Sequence, residues 1–274
     1  MRNVFFYCLV AVLAMACTPQ DHLTILHTND THSQVEPKAN DRAGYARRMG
    51  LIRQERALDK HLLLVDAGDF CQGTPYFNFF HGRIEIAALN RMGYDAATLG
   101  NHEFDNGLDT LAAVLKTAKF PIVCANYDFT GTALEGIVQA NAIVRKGGLK
   151  IGIFGLGCDP KGIISDKNFL PAQYLEPYAA AQEQVDLLRA EKCDIVVCLS
   201  HMGTFGKAPE DVCDTALVYH TRGIDVVVGG HTHKLYDNLR VANLDGDSIP
   251  VCQMAKSGEY LGKIVLNLDS KIIK

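Results

Sequence analysis

Short apolar runs alternate with longer stretches of helical hydrophobic periodicity between residues 22 and 268. The apolar runs predict β-strands at 23–27, 62–66, 96–99, 122–125, 195–200 and 224–228. The periodic stretches predict helices at 43–58, 82–92, 108–119, 178–192 and 208–220. Strands that alternate with helices usually form a parallel sheet, so the pattern predicts an α/β fold.

A second pattern adds antiparallel strands to this fold. Residues 142–146 and 150–155 flank Gly147 and Gly148, which predicts a hairpin. Residues 250–254 and 261–268 are predicted as closing strands of antiparallel character. The run 195–199 is apolar throughout, as strands covered on both faces are. No repeat or long polar linker interrupts the pattern, which indicates a single large domain.

Composition and charge narrow the class of protein. The 274 residues are 48% apolar and 21% charged, which excludes a disordered, collagen-like or coiled-coil chain. The net charge is −4, from 27 basic and 31 acidic side chains, and no basic stripe stands out. A nucleic-acid-binding protein that relies on Lys and Arg is therefore not indicated. A phosphate ligand would need a positive field from another source.

The first 16 residues have the features of a signal peptide. A positive start at Met1–Asn3 precedes an uncharged run over 4–16, which is shorter than the roughly 20 residues of a membrane-spanning helix. Two processing interpretations remain open. Ala14 and Ala16 suit ordinary cleavage, and Cys17 also suits a bacterial lipobox that would place a lipid on its thiol. The lipoprotein is favoured, so the chain is expected in the cell envelope, in the periplasm or at the outer membrane.

Seven of the nine cysteines follow residue 17, an odd number for complete pairing in an exported protein. Four of them lie in or beside apolar strand-like runs: Cys124, Cys193, Cys198 and Cys252. A buried Cys behaves as a small hydrophobic residue. Mostly free thiols are therefore expected.

Polar residues with ligand chemistry follow five predicted strands. In parallel α/β sheets such positions meet at one edge, so eight side chains are expected to converge there: Asp30, His32, Asp69, Asn101, His102, His201, His231 and His233. Oxygen and imidazole donors without thiolates favour Mn, Zn, Fe or Co over Mg or Ca. The set exceeds one tetrahedral shell, so two metal ions sharing a carboxylate are predicted.

These segments resemble the signature of the calcineurin-like metallophosphoesterases. More narrowly, they resemble the amino-terminal catalytic domain of the secreted 5′-nucleotidase and 2′,3′-cyclic-nucleotide phosphodiesterase family. The resemblance rests on Leu26–Asp30, Gly73–Pro75, Met92–Asp95 and Gly100–Asp105, and it extends over about residues 22–268. It implies a four-layer α/β/β/α sandwich, with residues 22–269 as one catalytic domain.

The resemblance also implies a role for each residue of the site. Asp30, His32 and His233 would hold the first metal ion, and Asp69 would bridge both ions. Asn101, His201 and His231 would complete the second site. His102 and Asp105 would form a catalytic pair, in which Asp105 orients the imidazole. Asn101 and His102 would contact the substrate.

The implied reaction is the hydrolysis of phosphate esters outside the cytoplasm. A hydroxide that bridges two Mn or Zn ions, with Fe or Co as further options, would attack the phosphorus of a nucleotide or another small phosphate ester. Two alternatives stay open: a different ester, such as the sulfur esters of some family relatives, and a metal-binding partner subunit without catalysis. The His102–Asp105 pair argues against the second alternative.

Full-length members of the family carry a second, carboxy-terminal domain that recognises the nucleobase. The few residues between the last predicted strand and Lys274 are too short for such a domain, so this sequence is expected to lack it. A separate polypeptide that supplies this domain is the favoured hypothesis. A phosphoesterase of different or broad specificity and a fragment of a longer protein are the alternatives.

Overall fold

Two six-stranded β-sheets, packed face to face, form the centre of the computed structural model, which describes residues 21–268 except 207, 209 and 210. The strands are β1 (His22–Thr28), β2 (Leu63–Asp66), β3 (Ala96–Thr98), β4 (Ile122–Val123), β5 (Tyr127–Asp128), β6 (Val138–Gln139), β7 (Asn141–Lys146), β8 (Leu149–Leu156), β9 (Gln173–Tyr174), β10 (Ile195–Ser200), β11 (Val226–Val228), β12 (Leu235–Ala242), β13 (Ser248–Met254) and β14 (Gly262–Asn267). The α-helices are α1 (Tyr45–Leu58), α2 (Pro75–Phe80), α3 (Arg83–Met92), α4 (Gly107–Leu115), α5 (Asp166–Phe169), α6 (Pro177–Ala190) and α7 (Asp214–His220). A 3₁₀ turn covers His102–Phe104.

Both sheets are parallel at their centres and antiparallel at one edge (the first sheet) or at both edges (the second). The first has the order β14-β1-β2-β3-β4-β6, in which β14 alone runs antiparallel to its neighbour. The second has the order β12-β13-β11-β10-β8-β7, in which the two outer strands are antiparallel to theirs. The carboxyl ends of the parallel strands therefore provide a common edge in each sheet.

Hydrophobic burial produces four layers. Side chains such as Ile25, Val65 and Val197 fill the space between the sheets. Neighbouring positions on β1 and β2 point the other way, as the two-residue period of a strand requires, and pack with α1, α3 and α4. Helices α6 and α7 cover the outer face of the second sheet. The α/β/β/α arrangement confirms the fold predicted from the sequence.

Most predicted elements are present, with ends that agree to within about one helical turn. The hairpin around Gly147 and Gly148 is confirmed by the antiparallel pairing of β7 and β8. The seven cysteines in the described residues are buried and free, as expected. None of the helices in these ranges has the length and apolar character needed to cross a bilayer. The predicted signal peptide and Cys17 lie outside the described residues.

Three predictions differ from the structure. The helix predicted from residue 208 begins at Asp214, because the backbone N–H groups of Asp214 and Thr215 donate to Gly203 and Thr204. Six elements lie in segments where no element was predicted: helices α2 and α5 and strands β5, β6, β9 and β12. The predicted closing strands separate: β13 lies parallel to β11 and antiparallel to β12, whereas β14 pairs with β1 in the other sheet.

The two sheets approach closely around Gly155 of β8. The backbone N–H of Ala125 donates to the Gly155 oxygen at 2.8 Å. A Cβ at position 155 would lie 2.0 Å from the Val123 oxygen and 2.5 Å from Thr98 Oγ1. Glycine is therefore needed here for the sheets to pack.

Replacing this glycine tests the close approach. We expect Gly155→Ala to destabilise the fold by about 3 kcal/mol or more. The Val123 backbone oxygen and the buried Thr98 hydroxyl cannot move away from the added methyl group without disturbing the packing of the sheets. Gly50→Ala is the matched control, because no atom lies within 4 Å of its added Cβ in helix α1. The control should be neutral or stabilising by about 0.5–1 kcal/mol. Urea unfolding measures both values, and equal stability of the two variants would contradict the packing described.

Candidate metal centre

The candidate ligands lie where strands of both sheets end. Asp30 follows β1, Asp69 follows β2, and Asn101 follows β3 in the first sheet. His201 follows β10 directly, and His231 and His233 follow β11 in the second. The structure thus brings the seven predicted metal ligands to one junction between the sheets. His102 and Asp105 lie at the same junction, on the 3₁₀ turn after β3 and at its end.

Four of these residues form a tight donor cluster. One ligand atom from each of Asp30, His32, Asp69 and His233 lies within 4.8 Å of the others. His32 Nε2 is 2.9 Å from His233 Nε2, and His233 Nε2 is 3.4 Å from Asp30 Oδ1. Two imidazole nitrogens and two carboxylates at these separations can converge on one divalent cation.

A second group of donors lies beside Asp69. His201 Nε2 is 3.1 Å from Asp69 Oδ2, and His231 Nδ1 is 3.0 Å from Asn101 Oδ1. His201 and His231 also face each other, with ring centroids 5.3 Å apart. Asp69 Oδ2 is also 4.0 Å from His32 Nε2, so the Asp69 carboxylate is close to both groups, as a shared ligand would be.

The nitrogen of His201 that faces the carboxylates fits a metal ion. His201 is fully buried, and its Nδ1 lies 2.7 Å from the backbone oxygen of Ala67, which can only accept. The proton of the neutral ring is therefore on Nδ1, and Nε2 presents a lone pair towards Asp69. In that neutral form Nε2 has no hydrogen-bond partner in the part of the chain that the structure describes. A buried polar atom without a partner is costly, and a cation would satisfy it.

Electrostatics at this position are dominated by the two carboxylates. Burial alone would lower the pKa of His201, but Asp69 and Asp30 raise it well above the usual value. Burial would likewise raise the pKa of Asp69, but the His201 imidazolium holds it below the usual range. A proton on Nε2 and a cation at Nε2 would compensate the same carboxylates, so the two would compete for this nitrogen.

Five of the candidate ligands have left-handed backbone conformations. Their φ angles range from 44° to 73°, at Asp30, His32, Asp69, His231 and His233. Such conformations are sparsely populated by residues other than glycine, and each costs on the order of 1–3 kcal/mol. They turn the chain sharply after each strand and aim the side chains at a common point.

His102 and Asp105 form the predicted pair at the side of the cluster. His102 Nδ1 is 3.0 Å from Asp105 Oδ2, and the His102 ring lies 5.4 Å from the ring of His32. The backbone N–H of His102 donates to Asp69 Oδ1 at 2.9 Å, which fixes the turn against the cluster. Burial would lower the pKa of His102, but the hydrogen bond to Asp105 raises it. The nitrogen not used by Asp105 remains available to a ligand.

Glu103 holds two ligand-bearing loops together. Its buried carboxylate accepts from the backbone N–H groups of Asp69 (3.0 Å), Cys71 (2.9 Å) and Gly100 (2.6 Å). Position 100 requires glycine, because a Cβ there would lie 2.2 Å from Asp69 Oδ1. Burial raises the pKa of Glu103 to about 7. These contacts are those of a structural residue that fixes the two loops.

Two further buried side chains organise the site and were not singled out from the sequence. Asn29 Nδ2 donates to Asp30 Oδ2 at 2.6 Å, and Asn29 Oδ1 accepts from the backbone of Met254. The side-chain amide of Gln253 lies 2.8 Å from the hydroxyls of Thr204 and Thr232, next to the histidines of the second sheet. Asn29 stands within a ligand-bearing segment, whereas no local signal marks Gln253.

Comparison with known proteins agrees with this geometry. The family described as calcineurin-like phosphoesterase matches residues 23–235. The snake venom 5′-nucleotidase of Gloydius brevicauda is 37% identical to this chain, in an alignment that covers 91% of this chain and 46% of the venom protein. The chain spans about half the length of such 5′-nucleotidases.

Solved structures show the same similarity. A 5′-nucleotidase precursor from Thermus thermophilus has a TM-score of 0.83 and 33% identity, over 92% of this chain and 53% of that protein. The calcineurin-like phosphoesterase YfkN from Bacillus subtilis has a TM-score of 0.75 and 31% identity. That match covers 90% of this chain and 85% of the YfkN chain.

Removing the charge of Asp69 tests whether it serves both donor groups. We expect Asp69→Asn to weaken the binding of both cations by more than about 100-fold. Mutating a residue that only contacts a metal ligand already weakens metal binding about 10–100-fold, and Asp69 is a proposed ligand itself. Metal analysis by mass spectrometry after loading with Mn²⁺ and desalting measures the occupancy. Glu183→Gln, an exposed carboxylate on α6, is the matched control. An Asp69→Asn protein that keeps the wild-type metal content would rule out the shared ligand.

Proposed function

The chain belongs to the calcineurin-like phosphoesterase family, and within that family we propose that it hydrolyses phosphate esters of nucleotides with two divalent cations. The observation that carries the proposal is the donor cluster of Asp30, His32, Asp69 and His233 beside the His102–Asp105 pair. The nucleotide substrate is supported by the 5′-nucleotidases among the relatives. Mn²⁺ or Zn²⁺ is proposed, with Fe or Co as further options, because the donors are carboxylates, an amide and imidazoles.

The residues present fit two cations with one shared ligand. Asp30, His32 and His233 would hold one ion, Asn101, His201 and His231 would hold the other, and Asp69 would contact both. When bound, the pair supplies charge neutralisation for the phosphoryl oxygens and lowers the pKa of a water molecule towards about 7. This positive field would allow a chain with a net charge of −4 to bind a phosphate ester.

His102 would act on the leaving group. Asp105 engages Nδ1 and raises the pKa of the ring, so the imidazolium is retained to higher pH than in a free histidine. The other ring nitrogen then donates a hydrogen bond or a proton to the ester oxygen as the P–O bond breaks. Water adds its oxygen to phosphorus, and the products are the alcohol and inorganic phosphate. Asn101, beside His102 on the same loop, would contact the phosphoryl group.

An assay with three esters separates this proposal from its alternatives. We expect the metal-loaded chain to release phosphate from AMP or, after ring opening to the monoester, from 2′,3′-cyclic AMP. If the chain hydrolyses p-nitrophenyl phosphate but neither nucleotide, its natural substrate would be a different ester. A sulfur ester could then be assayed. With two metals bound and no activity on any of the three, the chain would be a metal-binding partner subunit instead.

Replacing the proposed acid tests its role separately from metal binding. We expect His102→Ala to lower kcat for AMP by about 10²–10⁴-fold, the usual contribution of general acid–base catalysis. The metal content of this variant should equal that of the wild type, because His102 is not one of the proposed metal ligands. His61→Ala, an exposed histidine at the start of the segment leading to β2, is the control and should keep full activity. Loss of a metal ion from His102→Ala would contradict the assignment.

Export, a lipid on Cys17 and a separate base-recognising polypeptide stay predictions from the sequence. The venom source of one relative is consistent with export. Mass spectrometry of the amino-terminal peptide from native membranes would show a diacylglyceryl cysteine at position 17 if the lipoprotein hypothesis is right. A soluble mature chain with an unmodified Cys17 would favour ordinary signal cleavage.

A further inference from the structure

We propose that Gln253 is a positioning residue of the metal centre, whose side-chain amide holds the loop that carries His231 and His233 in the shape that two cations require. This inference rests on the proposed function, in which His231 contacts one cation and His233 the other. Gln253 lies on β13 and its side chain is fully buried, but it is not one of the proposed ligands. Its contribution would therefore be to place ligands rather than to bind a cation itself.

The loop between β11 and β12 is attached to the β13 segment on both sides of Gln253. At the start of the loop, the Gly229 N–H donates to the Cys252 oxygen at 2.7 Å. At its end, the Lys234 oxygen accepts from the Ala255 N–H at 2.9 Å. These attachment points flank Gln253 along the chain, so its side chain lies against the loop and can bond to several of the backbone groups of the loop.

The backbone around Gln253 determines which way its amide points. One terminal atom of the amide lies 2.9 Å from the Gly230 oxygen, which can only accept, so this atom is the nitrogen. The other terminal atom lies 2.8 Å from the backbone nitrogen of His233 and 2.9 Å from that of Lys234. Backbone N–H groups can only donate, so this atom is the oxygen. Gln253 thus donates to the residue before His231 and accepts from His233 and the residue after it.

Two threonines extend these contacts to the third histidine of the second sheet. The nitrogen of the Gln253 amide donates to Thr204 Oγ1 at 2.8 Å, and Thr204 is buried three residues after His201. The hydroxyl of Thr232, between the two histidines of the loop, lies 2.8 Å from the amide nitrogen and 3.0 Å from the amide oxygen. One side chain therefore contacts both segments that carry the histidine ligands of this sheet.

The conformation of the loop explains why a bonded partner matters. The φ angles of His231 and His233 are 73° and 58°, in the left-handed region that residues other than glycine seldom adopt. The loop also packs tightly, because a Cβ at Gly230 would lie 2.8 Å from His201 Nδ1. Such a conformation persists only where the surroundings fix it, and the Gln253 amide does so by bonding on both sides of His231. Without the amide, we expect the spacing of the two imidazoles to change, and with it the affinity for both cations.

Removing the amide tests the proposal. Gln253→Met keeps an unbranched side chain of similar length without its hydrogen bonds, and we expect it to weaken the binding of both Mn²⁺ ions by about 10–100-fold. Isothermal titration of the metal-free full chain with Mn²⁺ measures both dissociation constants. Gln184→Met on α6 is the matched control, because Gln184 is also buried and its Oε1 accepts from Asn141 Nδ2 at 2.6 Å. The control should lose stability to urea but keep the wild-type affinities.

Amide hydrogen exchange tests the contact itself in the wild type. In the metal-free chain the N–H groups of His233 and Lys234 should exchange at least about 100-fold more slowly than in an unstructured peptide, because the Gln253 oxygen accepts from both. NMR spectroscopy measures each N–H separately. In Gln253→Met we expect both to exchange at least about tenfold faster, whereas Gln184→Met should leave them unchanged. The wild-type rates decide the contact even if Gln253→Met does not fold.

The outcomes separate this inference from the proposed function. A wild type that binds fewer than two Mn²⁺ ions would overturn both, and one that binds two without hydrolysing AMP would overturn the nucleotide substrate alone. With two ions bound by the wild type, unchanged affinities in Gln253→Met, or an equal loss in Gln184→Met, would overturn the positioning role. Unprotected N–H groups at His233 and Lys234 in the wild type would overturn it as well. Weaker binding of both ions in Gln253→Met, with the control unchanged, would support it.

Discussion

The burial of two carboxylates at the junction of the sheets is the constraint on which the site depends. Asp30 and Asp69 are almost completely buried, and both face the same small volume. Two negative charges in such a place are unfavourable without compensation. The second sheet supplies imidazoles opposite them, from His201 and His233. Two divalent cations would complete the compensation, so folding and metal binding are expected to stabilise each other.

The backbone around these carboxylates is strained, and buried hydrogen bonds hold it. Each left-handed ligand residue is unfavourable by itself, but the turns are fixed by side chains that touch backbone groups on both sides of the site. Glu103 connects the loops after β2 and β3, and Asn29 connects the loop after β1 to the end of β13. Gln253 contacts the threonines beside the histidines of the second sheet. The ligands are therefore positioned by the rigid framework rather than by flexible loops.

The sequence predicted what depends on local patterns. Apolar runs and helical periodicity identified most strands and helices, and polar residues after strand ends marked the positions that converge. Features set by distant parts of the chain were missed. Strand β12 alternates in exposure at a sheet edge and carries no strong apolar run, and β13 and β14 are neighbours in sequence but belong to different sheets. Gln253 gives no local signal, because its partners Thr232 and Thr204 lie 21 and 49 residues away.

The location of the cations is the most direct test of the account. A crystal structure of the Mn²⁺-loaded chain, with anomalous diffraction recorded for manganese, would show where they bind. We expect two anomalous peaks about 3.5–4 Å apart. One should lie among Asp30, His32 and His233, the other among Asn101, His201 and His231, with Asp69 in contact with both. A single peak, or a pair without Asp69 between them, would contradict the shared-carboxylate centre.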